Sequence, residues 1–208
     1  MVAGGRGSRF GGMKQFASLG GINVVERSLA VAAEVADDLV LVVPSSAPRE
    51  ALKMAEKVVV GGDSRSASVR AGLAALDPAV EVVVVHDAVR PLASAALFRA
   101  VIEAVAGGAD AAVPGRPVAE TVKRVDREGR VVATVEREGL YVVQTPQAFR
   151  AEALRAAHAE EREATDDAAL VEMAGGRVVV VTGEQANIKI THPEDLAVAE
   201  VLLGGGKP

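Results

Sequence analysis

Val80-Glu81-Val82-Val83-Val84-Val85-His86-Asp87 carries a β-branched run up to a polar pair that ends in a carboxylate. Leu39–Val43 is a shorter, wholly apolar run stopped by Pro44. Runs of this kind suit strands buried on both faces, as in a parallel sheet. The segments around them have helical spacing. Over Val24–Ala36, residues Val24, Val25, Ser28, Leu29, Ala32 and Val35 recur at intervals of three and four and form one face. Further helices are expected over Ser66–Leu76, Ser94–Ala106, Ala151–Glu163, Asp166–Ala174 and Glu194–Leu203. Further strands are expected over Val58–Val60, Ala111–Val113 and Val178–Val181. Strands separated by helices of about a dozen residues imply βαβ units.

The expected fold is therefore α/β: a Rossmann-like, mostly parallel sheet flanked by helices. One segment breaks the rhythm. Thr121–Val125 and Val131–Val135 are β-branched runs joined by Asp126-Arg127-Glu128-Gly129, which is a hairpin signal. Leu140–Gln144 adds a strand. Residues 119–143 thus read as an antiparallel arm protruding from a single domain that spans residues 1–208.

Composition narrows the function. Half of the 208 residues are apolar, which is ample for a core and excludes disorder as the main state. Lys and Arg number 23 against 28 Asp and Glu, a net charge of −5. A general polyanion binder is basic, so phosphate recognition here must be local and nucleic acid is not an expected partner. Four Phe, one Tyr and no Trp leave no stacking platform for bases. The absence of Cys excludes disulfides, thiolate catalysis and Cys-based zinc sites. The longest apolar runs fall far short of the roughly 18 to 20 residues that span a bilayer. No basic-then-apolar signal segment opens the sequence. A cytoplasmic protein without membrane contact is the expectation.

Four motifs carry chemistry. Gly4-Gly5-Arg6-Gly7-Ser8-Arg9-Phe10-Gly11-Gly12-Met13-Lys14 combines glycines, whose amides approach a phosphate chain closely, with Arg9 and Lys14 as cations. It lacks the Gly-Lys-Ser/Thr ending of a Walker loop, and Phe10 stands where a dinucleotide fingerprint has its third Gly. A flexible tail is the bland alternative. In the second motif a strand delivers Asp87 at its carboxyl end, where ligands bind in open α/β sheets. Asp87 there can hold Mg²⁺ or a substrate hydroxyl, and Arg90 can take a phosphate. An Asp–Arg pair that only stabilises the turn is the alternative, and His86 reads as structural. The third, Gly61-Gly62-Asp63-Ser64-Arg65-Ser66-Ala67-Ser68, reads either as part of a base or ribose pocket or as a helix start with Ser66 as N-cap. In the fourth, Asn187–Asp195, Thr191 and Glu194 suggest a capping box and Pro193 a first turn, which leaves Lys189 unexplained. Thr165-Asp166-Asp167 reads as another N-cap with an acidic first turn.

Taken together, Ala3–Arg9, Lys14-Gln15, Gly61-Gly62-Asp63, His86-Asp87-Ala88-Val89-Arg90-Pro91, Thr145-Pro146-Gln147, Thr165-Asp166-Asp167 and Asn187-Ile188-Lys189-Ile190-Thr191 resemble the 2-C-methyl-D-erythritol 4-phosphate cytidylyltransferase family over nearly the whole sequence. The resemblance implies transfer of CMP from CTP to 2-C-methyl-D-erythritol 4-phosphate, with Mg²⁺, in isoprenoid precursor synthesis. It also implies a homodimer joined through the β-arm. By position, Arg9, Lys14 and Lys189 are then the catalytic cations on the CTP phosphates. Gly62, Asp63 and Ser68, with the loop residues Ala3, Gly4, Gly5 and Gly7, bind the nucleotide. Asp87, Arg90, Thr121 and Thr145 surround the acceptor, Asp87 is the metal ligand, and Arg137 reaches the acceptor phosphate of the partner subunit. Alternatives are a cytidylyltransferase for another polyol phosphate, such as ribitol 5-phosphate, and a non-catalytic nucleotide-binding module.

Two departures from the family pattern stand out. Met13 replaces the Pro that usually precedes the catalytic Lys, and only Met1-Val2 stand where a full first strand delivers the loop. A central strand position with so little chain in it is expected to be nearly empty. An apolar, β-branched run leading into Met1 is expected to fill it.

Overall fold

In the computed structural model, which describes residues 1–5, 10–160 and 162–205, strands and helices alternate as the sequence implies. A short hairpin, β1 (Ser18–Leu19) with β2 (Ile22–Asn23), leads into α1 (Val24–Ala33). There Glu26 accepts the Asn23 N–H at 2.9 Å and closes the helix start. Next come β3 (Val40–Val43), β4 (Lys57–Val60), α2 (Arg65–Ala74), β5 (Val82–Val85) and α3 (Ala95–Ala106). The second half holds β6 (Ala111–Pro117), β7 (Val122–Val125), β8 (Val131–Val135), β9 (Tyr141–Val143) and β10 (Gln147–Arg150). It ends with α4 (Ala151–His158), α5 (Asp167–Met173), β11 (Val178–Thr182) and α6 (Pro193–Gly204).

The main sheet runs β4-β3, then Met1–Ala3, then β5-β10-β6-β11. All of it is parallel except β10, which is antiparallel to both β5 and β6. That strand is absent from the sequence reading. Its four residues, Gln147-Ala148-Phe149-Arg150, have neither a β-branched run nor alternation, yet Gln147, Ala148 and Phe149 are buried. Alternate valines of β5 serve opposite faces. Val83 and Val85 pack with Leu154 of α4 and Leu170 of α5, while Val82 and Val84 pack with Val101 and Val105 of α3. A strand apolar on both faces is what two helical layers require. The arm is formed by the β7–β8 hairpin and by β9, which pairs with the outer end of β6.

The slot between β3 and β5 is not empty. Met1–Ala3 threads it, with Val2 N–H on the His86 carbonyl at 2.8 Å, Ala3 N–H on the Val42 carbonyl at 2.7 Å and Ala88 N–H on the Val2 carbonyl at 2.9 Å. Among the described residues, Val2 is the one that bridges both neighbours. Beside it lies a cavity of about 260 Å³ lined by apolar side chains including Val40, Val42, Leu73, Val84 and Phe98. The position is thus occupied by Met1–Ala3 rather than empty, with apolar space at its flank.

Two caps differ from expectation. Ser64, not Ser66, starts α2 by accepting the Ala67 N–H at 3.0 Å, and Ser66 is buried within the helix. At α6 the partner is Asp195, not Glu194: its carboxylate accepts the N–H groups of Thr191 and His192 at 2.7 and 2.8 Å. Among the described residues, no helix is long and apolar enough to cross a membrane.

Candidate active site

Loops from four places meet at the carboxyl edge of the parallel strands, where open α/β sheets bind ligands. Residues 3–5 follow Val2, residues 61–63 follow β4, residues 86–90 follow β5, and residues 183–189 follow β11.

The loops at residues 3–5 and 61–68 form a corner of close backbone approaches. A Cβ on Gly61 would lie 2.5 Å from Ser68 Oγ, and one on Gly4 would lie 3.0 Å from the same atom. Gly62 has Ala67 equally close. Side chains there would push the loops apart, so glycine is required by space rather than by flexibility. Ser68 Oγ donates to the Ser64 carbonyl at 2.9 Å. Gln15, which is buried, donates through Nε2 to the carbonyls of Ala3 at 2.8 Å and Gly5 at 3.0 Å. It fixes both ends of the loop entrance, a role the sequence reading did not give it. Asp63 is exposed at the rim. Arg9 and Gly7 lie outside the described residues.

Lys14 opens a 3₁₀ turn, Lys14–Phe16, facing the start of α6. The Asp195 carboxyl there is lowered first by the His192 N–H, against burial, and further by Thr191 and the charges of His192 and Lys14. The loop thus carries its cation to the helix start beside the Lys189 segment.

Past the end of β5, Asp87 is buried and Lys189 Nζ sits on its Oδ2 at 2.7 Å. Arg65 Nε lies 3.7 Å from Oδ1. Burial works against the charged carboxylate, but Lys189 and then Arg65 outweigh it and hold the Asp87 pKa at about 2. Thr145 Oγ1 accepts the Asp87 N–H at 3.0 Å and lies 3.1 Å from His86 Nδ1. Burial brings the His86 pKa down to about 3, so it is neutral at physiological pH. Arg90 donates to the Asn187 carbonyl at 2.9 Å and braces the Lys189 segment. Burial lowers its pKa, against the Asp87 charge.

The structure therefore brings Ala3, Gly4, Gly62 and Ser68 together, and likewise Asp87, Arg90, Thr145 and Lys189. Thr121 and Arg137 are exposed on the arm. Arg137 donates to the Ala119 carbonyl, and neither residue has a hydrogen bond or ion pair to Asp87, Thr145 or Lys189 among the described residues. Arg65 is the charged site residue that sequence reading missed. Its neighbour Ser66 drew a capping explanation, and its carboxylate partners lie far along the sequence.

No cluster of three carboxylate or imidazole groups able to cage a metal occurs among the described residues. One ionised carboxylate at a phosphate-binding edge still fits Mg²⁺, which commonly binds through one or two carboxylates plus substrate phosphates.

Comparison with known proteins agrees with this geometry. Residues 1–205 match the family described as 2-C-methyl-D-erythritol 4-phosphate cytidylyltransferase. The enzyme of that name from Pelotomaculum thermopropionicum is 43% identical over 222 residues, covering 98% of this chain and 92% of the relative. The crystal structure of the Thermus thermophilus enzyme superimposes with a TM-score of 0.83 at 36% identity, covering 98% of this chain and 96% of the other. That of 4-diphosphocytidyl-2C-methyl-D-erythritol synthase from Anaerococcus prevotii gives 0.85 at 33% identity, covering 98% and 95%. A glycine-lined nucleotide corner, an aspartate–lysine pair at the strand edge and matches over nearly the whole length lead to one conclusion: the chain belongs to the 2-C-methyl-D-erythritol 4-phosphate cytidylyltransferase family, enzymes of isoprenoid precursor synthesis that transfer the cytidylyl group of CTP to 2-C-methyl-D-erythritol 4-phosphate.

Proposed function

We propose how the residues of this chain divide the reaction, with residues 1–208 acting as one nucleotidyltransferase domain and 119–143 as its dimerisation arm. Transfer needs no nucleophilic side chain. An oxygen of the acceptor phosphate attacks the α-phosphorus, the new P–O bond forms, and pyrophosphate leaves with the electron pair of the broken bond. The protein must align two polyanions that repel each other and stabilise charge at a crowded phosphorus.

Lys14 and Lys189, with Arg9, hold the CTP phosphates. Gly62, Asp63 and Ser68, with the backbone of residues 3–5 and Gly7, hold the cytidine. Asp87, Arg90 and Thr145 form the acceptor side, to which Thr121 and the partner subunit's copy of Arg137 contribute from the arm. Asp87 is the protein ligand for Mg²⁺, which when bound neutralises phosphate charge. One observation carries the reading: a half-exposed lysine covers a buried aspartate, their side chains 42% and 11% accessible. Lys189 can turn to an arriving phosphate, and Asp87 is then uncovered for the acceptor.

The dimer is supported by the arm itself. Val131, Val132 and Val142 are each more than half exposed, and Tyr141 nearly so. Apolar strands in that state match surfaces that pair with a partner. The substrates are soluble phosphates, which suits the cytoplasm. The test is pyrophosphate release with CTP and Mg²⁺, comparing 2-C-methyl-D-erythritol 4-phosphate, ribitol 5-phosphate and no acceptor. Release with the first alone is expected. Preference for ribitol 5-phosphate would overturn the acceptor assignment, and release without acceptor would mean simple hydrolysis.

A further inference from the structure

Arg65 is the first residue of α2, at the positive end of a helix, where a cation is disfavoured. Two carboxylates compensate. Its Nη1 donates to Asp167 Oδ2 at 2.7 Å, and its Nε faces Asp87 Oδ1 at 3.7 Å. Asp167 is completely buried, and its other oxygen meets His158 Nε2 at 3.0 Å. Burial works against the Arg65 charge, but Asp167 and then Asp87 outweigh it and raise its pKa. The guanidinium is therefore locked from α5, and α5 is locked in turn from the end of α4.

Among the described residues, Asp87 thus meets two cations of different character. Lys189 is a flexible point charge, half exposed, and can change partners. Arg65 is a planar fork shared between two carboxylates, and it cannot leave without stranding a buried charge. We infer that Arg65 is a positioning residue for the transfer reaction: it fixes Asp87 from the Oδ1 side and balances its charge while Lys189 turns to phosphate. The inference rests on the reading of Lys189 given above. Without Arg65, departure of Lys189 would strip the buried carboxylate of both cations that contact it among the described residues, so the aspartate would hold the lysine back or turn away from the acceptor. Asp167 and His158 act only through Arg65.

Arg65→Gln alone leaves Asp167 buried and unpaired, which threatens the fold. The decisive variant is the double Arg65→Gln/Asp167→Asn, in which a neutral pair replaces the ionic one. Its melting temperature should stay near that of the parent. Its turnover should fall about 10- to 100-fold, the cost of a misplaced reacting group, with the KM for the polyol phosphate raised. The KM for CTP should be nearly unchanged. Parental turnover and polyol phosphate KM in the folded double variant would overturn the inference. Arg65→Lys offers one nitrogen for two carboxylates and should fold without recovering turnover; full recovery would likewise overturn it, because charge alone would then suffice. Lys189→Ala run alongside separates the two readings: parental turnover there would refute the role of Lys189, whatever the Arg65 variants show.

Discussion

Asn187 Nδ2 donates to the Thr145 carbonyl at 2.9 Å and so ties the segment that bears Lys189 to the loop beside Asp87. Both residues are buried, and Asn187 lies also 3.3 Å from Gln144 Oε1. Asn187→Ala should therefore cost about 1–3 kcal/mol of stability through unpaired buried acceptors. It should also lower turnover, because Lys189 loses its fixed approach. Denaturant unfolding and pyrophosphate release, measured on the same sample, check both effects. Parental turnover in the folded variant would show that Arg90 and Gln144, through the Asn187 carbonyl, brace the segment well enough.

Lys14→Ala and Lys189→Ala should each reduce turnover about 100-fold, or roughly 3 kcal/mol, while the fold survives. Each removes a cation from a place where charge accumulates during transfer. The half-exposed ammonium of Lys189 has little packing to lose, so circular dichroism should be unchanged. Near-parental turnover in both variants would sink the proposed division of roles.

Arg137→Ala should raise the KM for the polyol phosphate and leave that for CTP nearly unaltered. If Arg137 acts across a dimer, mixing it with Lys14→Ala is informative. One site of such a heterodimer carries both defects and the other carries neither. Activity well above both parent homodimers is the expected result. Absence of recovery would mean that each site is built from one chain.

Stability should fall on mild acidification because of His86. Burial, against the Asp87 charge, takes its pKa from 6.5 to about 3. Between those values the unfolded chain binds a proton that the folded chain excludes, so stability increases with pH across that window. Asp87 adds a separate loss at lower pH, from its ordinary 3.8 down to about 2. Melting temperatures should therefore drop steadily as pH falls from 6.5 toward 3. His86→Gln should lower stability at neutral pH and flatten that slope. An unchanged slope would assign the titration to another group.

The sequence made the βαβ frame legible because parallel strands such as Val82–Val85 are apolar on both faces and stand out. The arm was legible from the turn Asp126–Gly129 between two valine-rich runs. β10 was hidden because its burial depends on partners: Gln147 Nε2, for instance, donates there to Asp166 Oδ2 at 3.0 Å. For the site, Asp87 was singled out by its residue type at a strand end and Lys189 through the family resemblance. Their direct pairing was not, because a contact between residues so far apart leaves no periodic trace. Arg65 was hidden for the same reason. Arg90 and Thr145 were named from the sequence, but the bonds they make inside the chain, to the Asn187 carbonyl and from the Asp87 N–H, follow from loop geometry alone.

The three-residue thread between β3 and β5 makes the sheet a structure with a seam. Among the described residues, every backbone hydrogen bond joining the β3–β4 half of the sheet to the β5 half passes through Met1, Val2 or Ala3. Local openings follow the weakest contiguous set of contacts, and here that set has an apolar cavity along one flank. The amides of Val2, Ala3, Val42 and Ala88 should accordingly exchange with solvent deuterium as one group, ahead of those in the β5–β10 ladder. Because that group underlies both the glycine corner and the Asp87 loop, a ligand spanning the two would act as a clasp. Bound CTP should slow exchange most along the seam, and weaker mutual motion of the two halves, rather than closure of any loop, would be the mechanical signature of substrate binding.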